Sequence, residues 1–549
     1  MDTLIAENYA YEQTTSKQML DADTFLVKQK NMTPIIDQQR GSGNYTSSKV
    51  IIDAQSFGNG SDWTNWAEAY ITLPYSYTLT MAASTTSTLN SSTITDANYL
   101  IAPKNMSLVE SFRVEQAGRV IVQESANLSH LVNFVKHSTV SHEEMQRDVG
   151  TTLYWPDGSV NTLQAIGIAG SVNNANSSTI ISNFNEGVFN RQQAILPSNR
   201  LTSYVTAAAG INEAATYQAA ATFPTSLTGG AAATTVSDVH YLAVIRLKDL
   251  SDYFMKHPLS RGPGYKITLT INQAVTTITS ASTTAPFNST YTLSTTVPSI
   301  NSTVQPAMLC VGANTFNATV VGGTASIYTF VLTSAIDTSG NARQSGVILN
   351  VPSVVLSEEY EAKLLANPII HRAPFMINSA VYTNQTAGST INLQLFSGIS
   401  NPRAIVVIPQ FTQVTQTQSS QMNPFNPCPG VSDAVSLTRL QVRVNSKAIL
   451  PAPTSYLYSN FIDNTSRIFS LNGGLSTLTS GIISLQKFMN NYRYYAFDIS
   501  LLPEDQRDVN SLITLEAFNN SAVGVDLYVF VLYEQSVTFD NLKGTIDLH

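Results

Sequence analysis

The stretch GVILNVPSVVLSEEYEAKLLANPIIHRAP, residues 346–374, changes its pattern twice. Residues 346–351 and 354–356 are dense in β-branched side chains and read as strand. Ser357 then stands at an N-cap position, Glu358, Glu359 and Glu361 crowd the first turn, and Lys363 lies near the end. That charge order suits a helix dipole, and Ala362, Leu364, Leu365 and Ala366 are good helix formers. Asn367-Pro368 stops the helix, because proline offers no donor and pushes the residue before it out of the helical region. Ile369, Ile370, Phe375, Met376 and Ile377 open a new strand-like run. A short capped helix between two long β regions is the expected joint of the chain, with Ser357, Glu358 and Pro368 as its structural residues.

Outward from the joint, the two sides repeat one another. Ala404-Ile405-Val406-Val407-Ile408-Pro409 follows the pattern of Ala69-Tyr70-Ile71-Thr72-Leu73-Pro74, ending in Pro409 and Pro74. Residues 440–450 parallel residues 112–122, each a hairpin with a turn dipeptide before a basic residue: Asn445-Ser446-Lys447 and Ala117-Gly118-Arg119. Asn460-Phe461 falls where Asn133-Phe134 does, and residues 390–393 match residues 50–53. Shared features in the same order, at similar gaps, imply duplication of one β-sandwich. Residues 494–500, 512–518 and 525–532 read as closing strands, the last apolar on nearly every residue and so expected to be covered on both faces. In the first half, residues 241–254 read as a strand entering a short helix, and residues 265–271 alternate as a half-buried strand. Thr-, Ser- and Asn-rich segments at about 81–97, 160–236 and 276–345 read as loop-like insertions. The expected division is a flexible N-terminal arm over 1–48, a first sandwich over 49–356, a linker helix over 357–367 and a second sandwich over 368–549.

Composition narrows the function classes. Charged residues make up 12% of the 549-residue chain, against about 25% in an average soluble protein. This suits a secreted β protein, or a subunit whose surface is covered by copies of itself. A net charge of −8 without a Lys/Arg cluster argues against strong nucleic-acid binding. Cys310 and Cys428 form neither a disulfide framework nor a metal site. The N-terminus does not resemble a signal peptide and no run reaches the ~20 apolar residues of a membrane span, so a soluble, non-secreted product is expected.

No catalytic constellation stands out, and no catalytic, cofactor-binding or metal residue is expected. His142-Glu143-Glu144-Met145-Gln146 lacks the second histidine of a zinc-protease helix, and His130, His137 and His142 have no accompanying ligand set. Asp62 with Glu68, or Glu358 with Glu359, could be drawn as a carboxylate pair for glycoside cleavage, but turn chemistry and helix capping explain them more simply. Trp63 and Trp66 with Tyr70 offer either a sugar-stacking platform or an anchor for a sandwich edge.

The tandem sandwiches, long polar loops and capped joint resemble the double jelly-roll major capsid proteins of double-stranded DNA viruses, most of all those of Polinton-like viruses and virophages. Residues 246–254 with 265–271, 354–359, 495–500 and 531–534 carry the resemblance, which spans residues 49 to 549. It implies an all-β fold of two eight-stranded antiparallel jelly rolls, with the insertions forming an outward tower. It further implies a homotrimer that mimics a hexagon, an icosahedral shell, contacts with minor capsid and penton proteins, and no enzymatic activity or cofactor. A virion location follows, with synthesis in the host cytoplasm or a viral factory. The rival expectation is a carbohydrate-binding adhesin or lectin using Trp63 and Trp66, and a third is a spike enzyme acting on polysaccharide.

Overall fold

The computed structural model describes residues 27–38, 45, 49–56, 62–81, 88–90, 99–101, 108–152, 154, 226–228, 234–272, 274–282, 291–295, 308–310, 317–319, 326–340, 342, 344–411, 435–450, 452–470, 481–490, 492–499, 511–521 and 524–549. Sixteen strands form two sandwiches. In the first, β1 (Val27–Ile36), β8 (Ile348–Leu356), β3 (Tyr70–Met81) and β6 (Thr234–Arg246) pair in that order. Facing them lie β2 (Lys49–Asp53), β7 (Lys266–Ile271), β4 (Val109–Gln116) and β5 (Arg119–Ser125). In the second, β9 (Phe375–Gln385), β16 (Val525–Glu534), β11 (Pro402–Phe411) and β14 (Tyr495–Asp498) face β10 (Thr390–Ile399), β15 (Ser511–Asn519), β12 (Leu437–Val444) and β13 (Lys447–Ala448). Numbered by place within its own half, each sandwich reads 1-8-3-6 over 2-7-4-5, and every pairing is antiparallel. That is one jelly roll made twice.

Alternation accounts for each core. Ile71, Leu73 and Tyr75 on β3 and Leu349 and Val351 on β8 point inward, onto Val50, Ile52, Phe112, Val114, Ile267 and Leu269 of the facing sheet. In the second roll Val529 and Val531 share the inner face with Val407 and Ile405, their cross-strand partners. The other face of β16 is covered too, with Phe530 fully buried and Tyr528 nearly so. The apolar run over 525–532 thus has the environment its composition demands.

The hairpins repeat residue for residue. Ala117 and Gly118 both take positive φ between β4 and β5, and Asn445 and Ser446 do the same between β12 and β13. Paired positive φ angles make the tight turn that matches strand twist. The proline correspondence holds only at the level of the strand. Pro74 pairs with Leu242 on the outer face of its sheet, since the neighbours Leu73 and Ala243 are in the core. Pro409 pairs with Leu527, which in turn pairs with Tyr382, and the Tyr382 hydroxyl reaches Leu395 O of the facing sheet at 2.8 Å. Pro74 faces out and Pro409 faces in. The match of residues 390–393 to 50–53 is off by one in the same way: Val50 is buried, whereas Thr390 is exposed beside buried Ile391. A slip of one residue inverts every side chain, and only the turn pins the register. Pro74 is tolerated in a strand interior because β8 ends its pairing at Thr72 and the strand Ser326–Ile336 begins its pairing at Tyr75, so the missing donor falls at their junction.

Two further expectations change. Residues 27–36 do not form an arm: β1 lies along the whole of β8, Val27 opposite Leu356 and Ile36 opposite Ile348. As an edge strand with most of its side chains exposed, it carries little apolar signal. Residues 1–26 lie outside the described residues. The second change concerns the end of the chain. Ile369–Arg372, Val537–Asp540 and Thr545–Leu548 form a small sheet whose Val537, Phe539 and Ile546 enter the core of the first roll, although they lie in the part expected to build the second.

Most of 81–97 and 160–236 lies outside the described residues, as does Cys428. The described parts of the insertions meet: Thr88–Asn90 pairs with both Ser226–Thr228 and Asn317–Thr319, and Tyr99–Ile101 pairs with Met308–Cys310. Strands Ser326–Ile336, Ala274–Ser282 and Tyr291–Thr295 extend the β3 sheet in that order, so much of the described part of 276–345, expected as loop-like, is strand.

Candidate functional site

The two rolls meet at a buried seam. Helix α1 (Leu128–Thr139) follows β5 and carries apolar residues on two faces. Leu128 and Val132 join the first core, while Leu131 and Phe134 join the second. His130 is fully buried and stacks on Tyr528 of β16 with ring centroids 4.3 Å apart. Burial pushes the His130 imidazole down to about 3, so it is neutral at physiological pH. His137 Nδ1 lies 3.2 Å from the Tyr494 hydroxyl, and its backbone carbonyl accepts from Ile482 N at 3.0 Å. Gly481, at φ +62°, lies so close under that carbonyl that a Cβ would collide with it.

The solvent side of α1 is tied down by charge. Lys136 Nζ meets Asp249 at 2.5 Å, and Arg246 spans Asp249 and Asp148, each at 2.7 Å. Arg246 holds the Asp148 carboxyl below its ordinary value against the opposing effect of burial. At the start of the helix Glu110 Oε1 accepts from Asn127 N at 3.2 Å, and burial raises the Glu110 carboxyl to about 7.

The second roll returns the exchange through the C-terminal sheet. Phe539 sets its ring 4.7 Å from that of His257, inside a cluster where the Tyr265 hydroxyl lies 2.6 Å from His257 Nε2 and 2.7 Å from the Tyr253 hydroxyl. Gly262 and Gly544 meet backbone to backbone: a Cβ at Gly262 would lie 2.8 Å from Gly544 Cα, and one at Gly544 would be tight against Gly262. Gln116 beside the first hairpin donates to Gly544 O at 3.1 Å. Each core therefore contains residues from the other half of the sequence.

The joint residues stand at the two ends of one helix, and the Pro368 end meets this sheet. Helix α2 (Glu358–Ala366) has Ser357 at its N-cap, although the side chain makes no capping bond and only Ser357 O accepts, from Glu361 N at 2.9 Å. Glu358 pairs with Lys28 of β1 at 3.1 Å, and Pro368 O accepts from Asn541 N at 2.9 Å. Glu361 receives Arg261 at 3.1 Å and Trp63 Nε1 at 3.4 Å. Pro74, Pro409, Gly118 and Asn445 are dispersed over strands and hairpins and do not converge on one place. Sequence reasoning missed α1 as a seam element; its signal was apolar residues at Leu128, Leu131, Val132, Phe134 and Val135, wider than one helix face needs.

Trp63 and Trp66 are 1% and 0% exposed, and Trp66 packs edge-on against Tyr265 at 4.7 Å, so neither offers a face to a sugar. Among the described residues no group of three or more His, Cys, Asp or Glu side chains could hold a metal ion, and no helix is long and apolar enough to cross a membrane.

Two jelly rolls in tandem, exchanging elements across a buried seam, define a double jelly-roll protein. No family model matches the chain, and no curated protein matches its sequence. Among solved structures it is similar to a chain of the Sputnik virophage, at 12% identity over 97% of this chain and 91% of that one, with a TM-score of 0.50. It is also similar to the mavirus major capsid protein (11% identity, 98% and 94% covered, TM-score 0.47) and the Faustovirus major capsid protein (10%, 96% and 93%, 0.44). At such identity the Sputnik likeness speaks for the fold.

Proposed function

We propose that this chain is the major capsid protein of a double-stranded DNA virus, and that three copies close into a tile with six jelly rolls around its rim. The observation that carries this reading is the repeated roll fixed by a buried seam. A rigid pair of like modules offers a lattice near-sixfold contacts from threefold symmetry. Low surface charge suits a protein largely covered by its own copies, and obligate contacts of this kind bury thousands of Å². The joined insertions would form the outward tower, and the virion is the site of action, with minor capsid and penton proteins as further partners. The joint at Ser357, Glu358 and Pro368 sets how one roll hands over to the next.

Light scattering on the purified chain should return the mass of a trimer, and negative-stain images should show hexagonal particles. A discrete monomer at micromolar concentration overturns the proposal.

A further inference from the structure

The seam within one chain joins two unlike surfaces. One is the helix side of the first roll, α1 with β5, where Ser125 Oγ donates to Ile377 O of β9 at 3.4 Å. The other is the outer face of the β9-β16-β11-β14 sheet. Because both rolls have the same strand order, each owns one surface of each kind, and the seam uses only two of the four. The outer face of the β1-β8-β3-β6 sheet and the helix side of the second roll are left over.

Both leftovers carry exposed large hydrophobics among their polar residues. On the first, Ile36, Ile348, Thr72 and Val244 form one cross-strand row with Pro74 and Leu242 beside it. Met32, Ile36 and Leu242 on this face are 46%, 48% and 38% exposed. On the second lie α3 (Tyr458–Ser470) and the helix Leu485–Asn490, held together by Phe461 and Phe488 with ring centroids 5.0 Å apart. Here Leu457, Leu485 and Met489 are 62%, 56% and 47% exposed. These six account for more than half of the eleven large hydrophobics exposed among the described residues.

The two helices share a local motif, although Phe461 packs within its own roll where Phe134 packs on the other. In α1 the Ser138 hydroxyl donates to Phe134 O at 2.7 Å, and in α3 the Thr465 hydroxyl donates to Phe461 O at 2.6 Å. Counting four back from each phenylalanine gives His130, fully buried against Tyr528, and Leu457, the most exposed of the six. Four residues before this motif the first roll is covered at the seam, and the second is exposed and apolar.

We infer that Leu457, Leu485 and Met489 of one copy dock on the face bearing Met32, Ile36 and Leu242 of a second copy, repeating the seam between chains. The contact is heterologous, helix side onto sheet face, and a constant rotation at every seam closes it into a ring. This rests on the trimer reading and says which residues make it.

Full-length Leu457→Asp and Ile36→Asp, each read by light scattering and by thermal midpoint, test it. Both should fold with midpoints near that of dissociated wild type and run as monomers, whereas Leu542→Asp, altered on neither face, should remain trimeric. Mixed one to one, the two monomeric variants should yield a dimer and no trimer, because each retains the surface the other lost. If wild type is a trimer and both variants stay trimeric, the assignment is overturned and the trimer stands. Should either variant unfold instead, Met489→Asp and Leu242→Asp provide the same two arms under the same criteria. A wild-type monomer overturns assignment and trimer together.

Discussion

At residue scale the seam turns on a few side chains that a surface account would overlook. Phe134 leaves its own roll to pack against Tyr494 on the outer face of the other's sheet, so Phe134→Ala opens a cavity at the seam and should cost about 3–5 kcal/mol by denaturant titration. A loss under 1 kcal/mol, on the order of an ordinary surface substitution, would show that the seam is not packed as described. Gly481→Ala meets both a left-handed backbone and the His137 carbonyl, and should lower the unfolding midpoint more than Gly118→Ala or Gly388→Ala, whose left-handed backbones have open space around them. Acid acts on the same place with opposing signs. The folded His130 value of about 3 lies below its ordinary 6.5, so stability is complete above pH 6.5 and is lost as pH falls toward 3. Glu110 behaves in reverse: raised from 4.5 to about 7, it favours the fold fully below pH 4.5 and loses that contribution as pH rises through 7. Between pH 4.5 and 6.5 the two oppose, which predicts that Glu110→Gln makes the loss of stability on acidification steeper and His130→Phe makes it shallower, by about 1.4 kcal/mol per pH unit at most. Unfolding midpoints across pH 4–8 read both.

At the scale of elements, the C-terminal sheet is the strongest case of function by placement. Ending the chain at Ser536 removes Val537, Phe539 and Ile546 from the first core while leaving all strands of the second roll intact. The expected outcome is loss of the first roll, seen as early proteolysis of residues before 356, and an intact first roll would refute the clasp. Little of this could be read from the chain beforehand. The duplicated hairpin could, because Ala117-Gly118 and Asn445-Ser446 are local signals in which turn chemistry states its own geometry. The apolar run of β16 was equally plain, since a strand covered on both faces needs no alternation. Edge strand β1 was not, because its exposed residues dilute the pattern that marks a strand. The register of the repeat failed at Pro74 and Pro409 because apolar runs fit equally well one residue apart. Where α1 and the closing strands lodge depends on contacts hundreds of residues away in sequence, which periodicity does not record.

For the molecule as a whole, the reciprocal exchange decides how it unfolds. Two rolls joined only by α2 would behave as separate cooperative units and melt in two steps. Here the second core takes Leu131 and Phe134 from the first half, and the first core takes Val537 and Phe539 from the second. Neither can open without exposing part of the other, so their free energies are coupled. A monomeric variant such as Leu457→Asp should therefore melt in one calorimetric transition, with calorimetric and van't Hoff enthalpies in agreement. Val529→Asp buries a charge deep in the second core. If the exchange couples the rolls, this substitution lowers a single transition and takes the first roll with it. Two resolved transitions, only one of them shifted by Val529→Asp, would mean that each roll stands alone and that the seam is a contact between finished modules. Under the proposed shell role this coupling is also what a tile requires, because a load on one contact must reach the next without the chain hinging at residues 357–367.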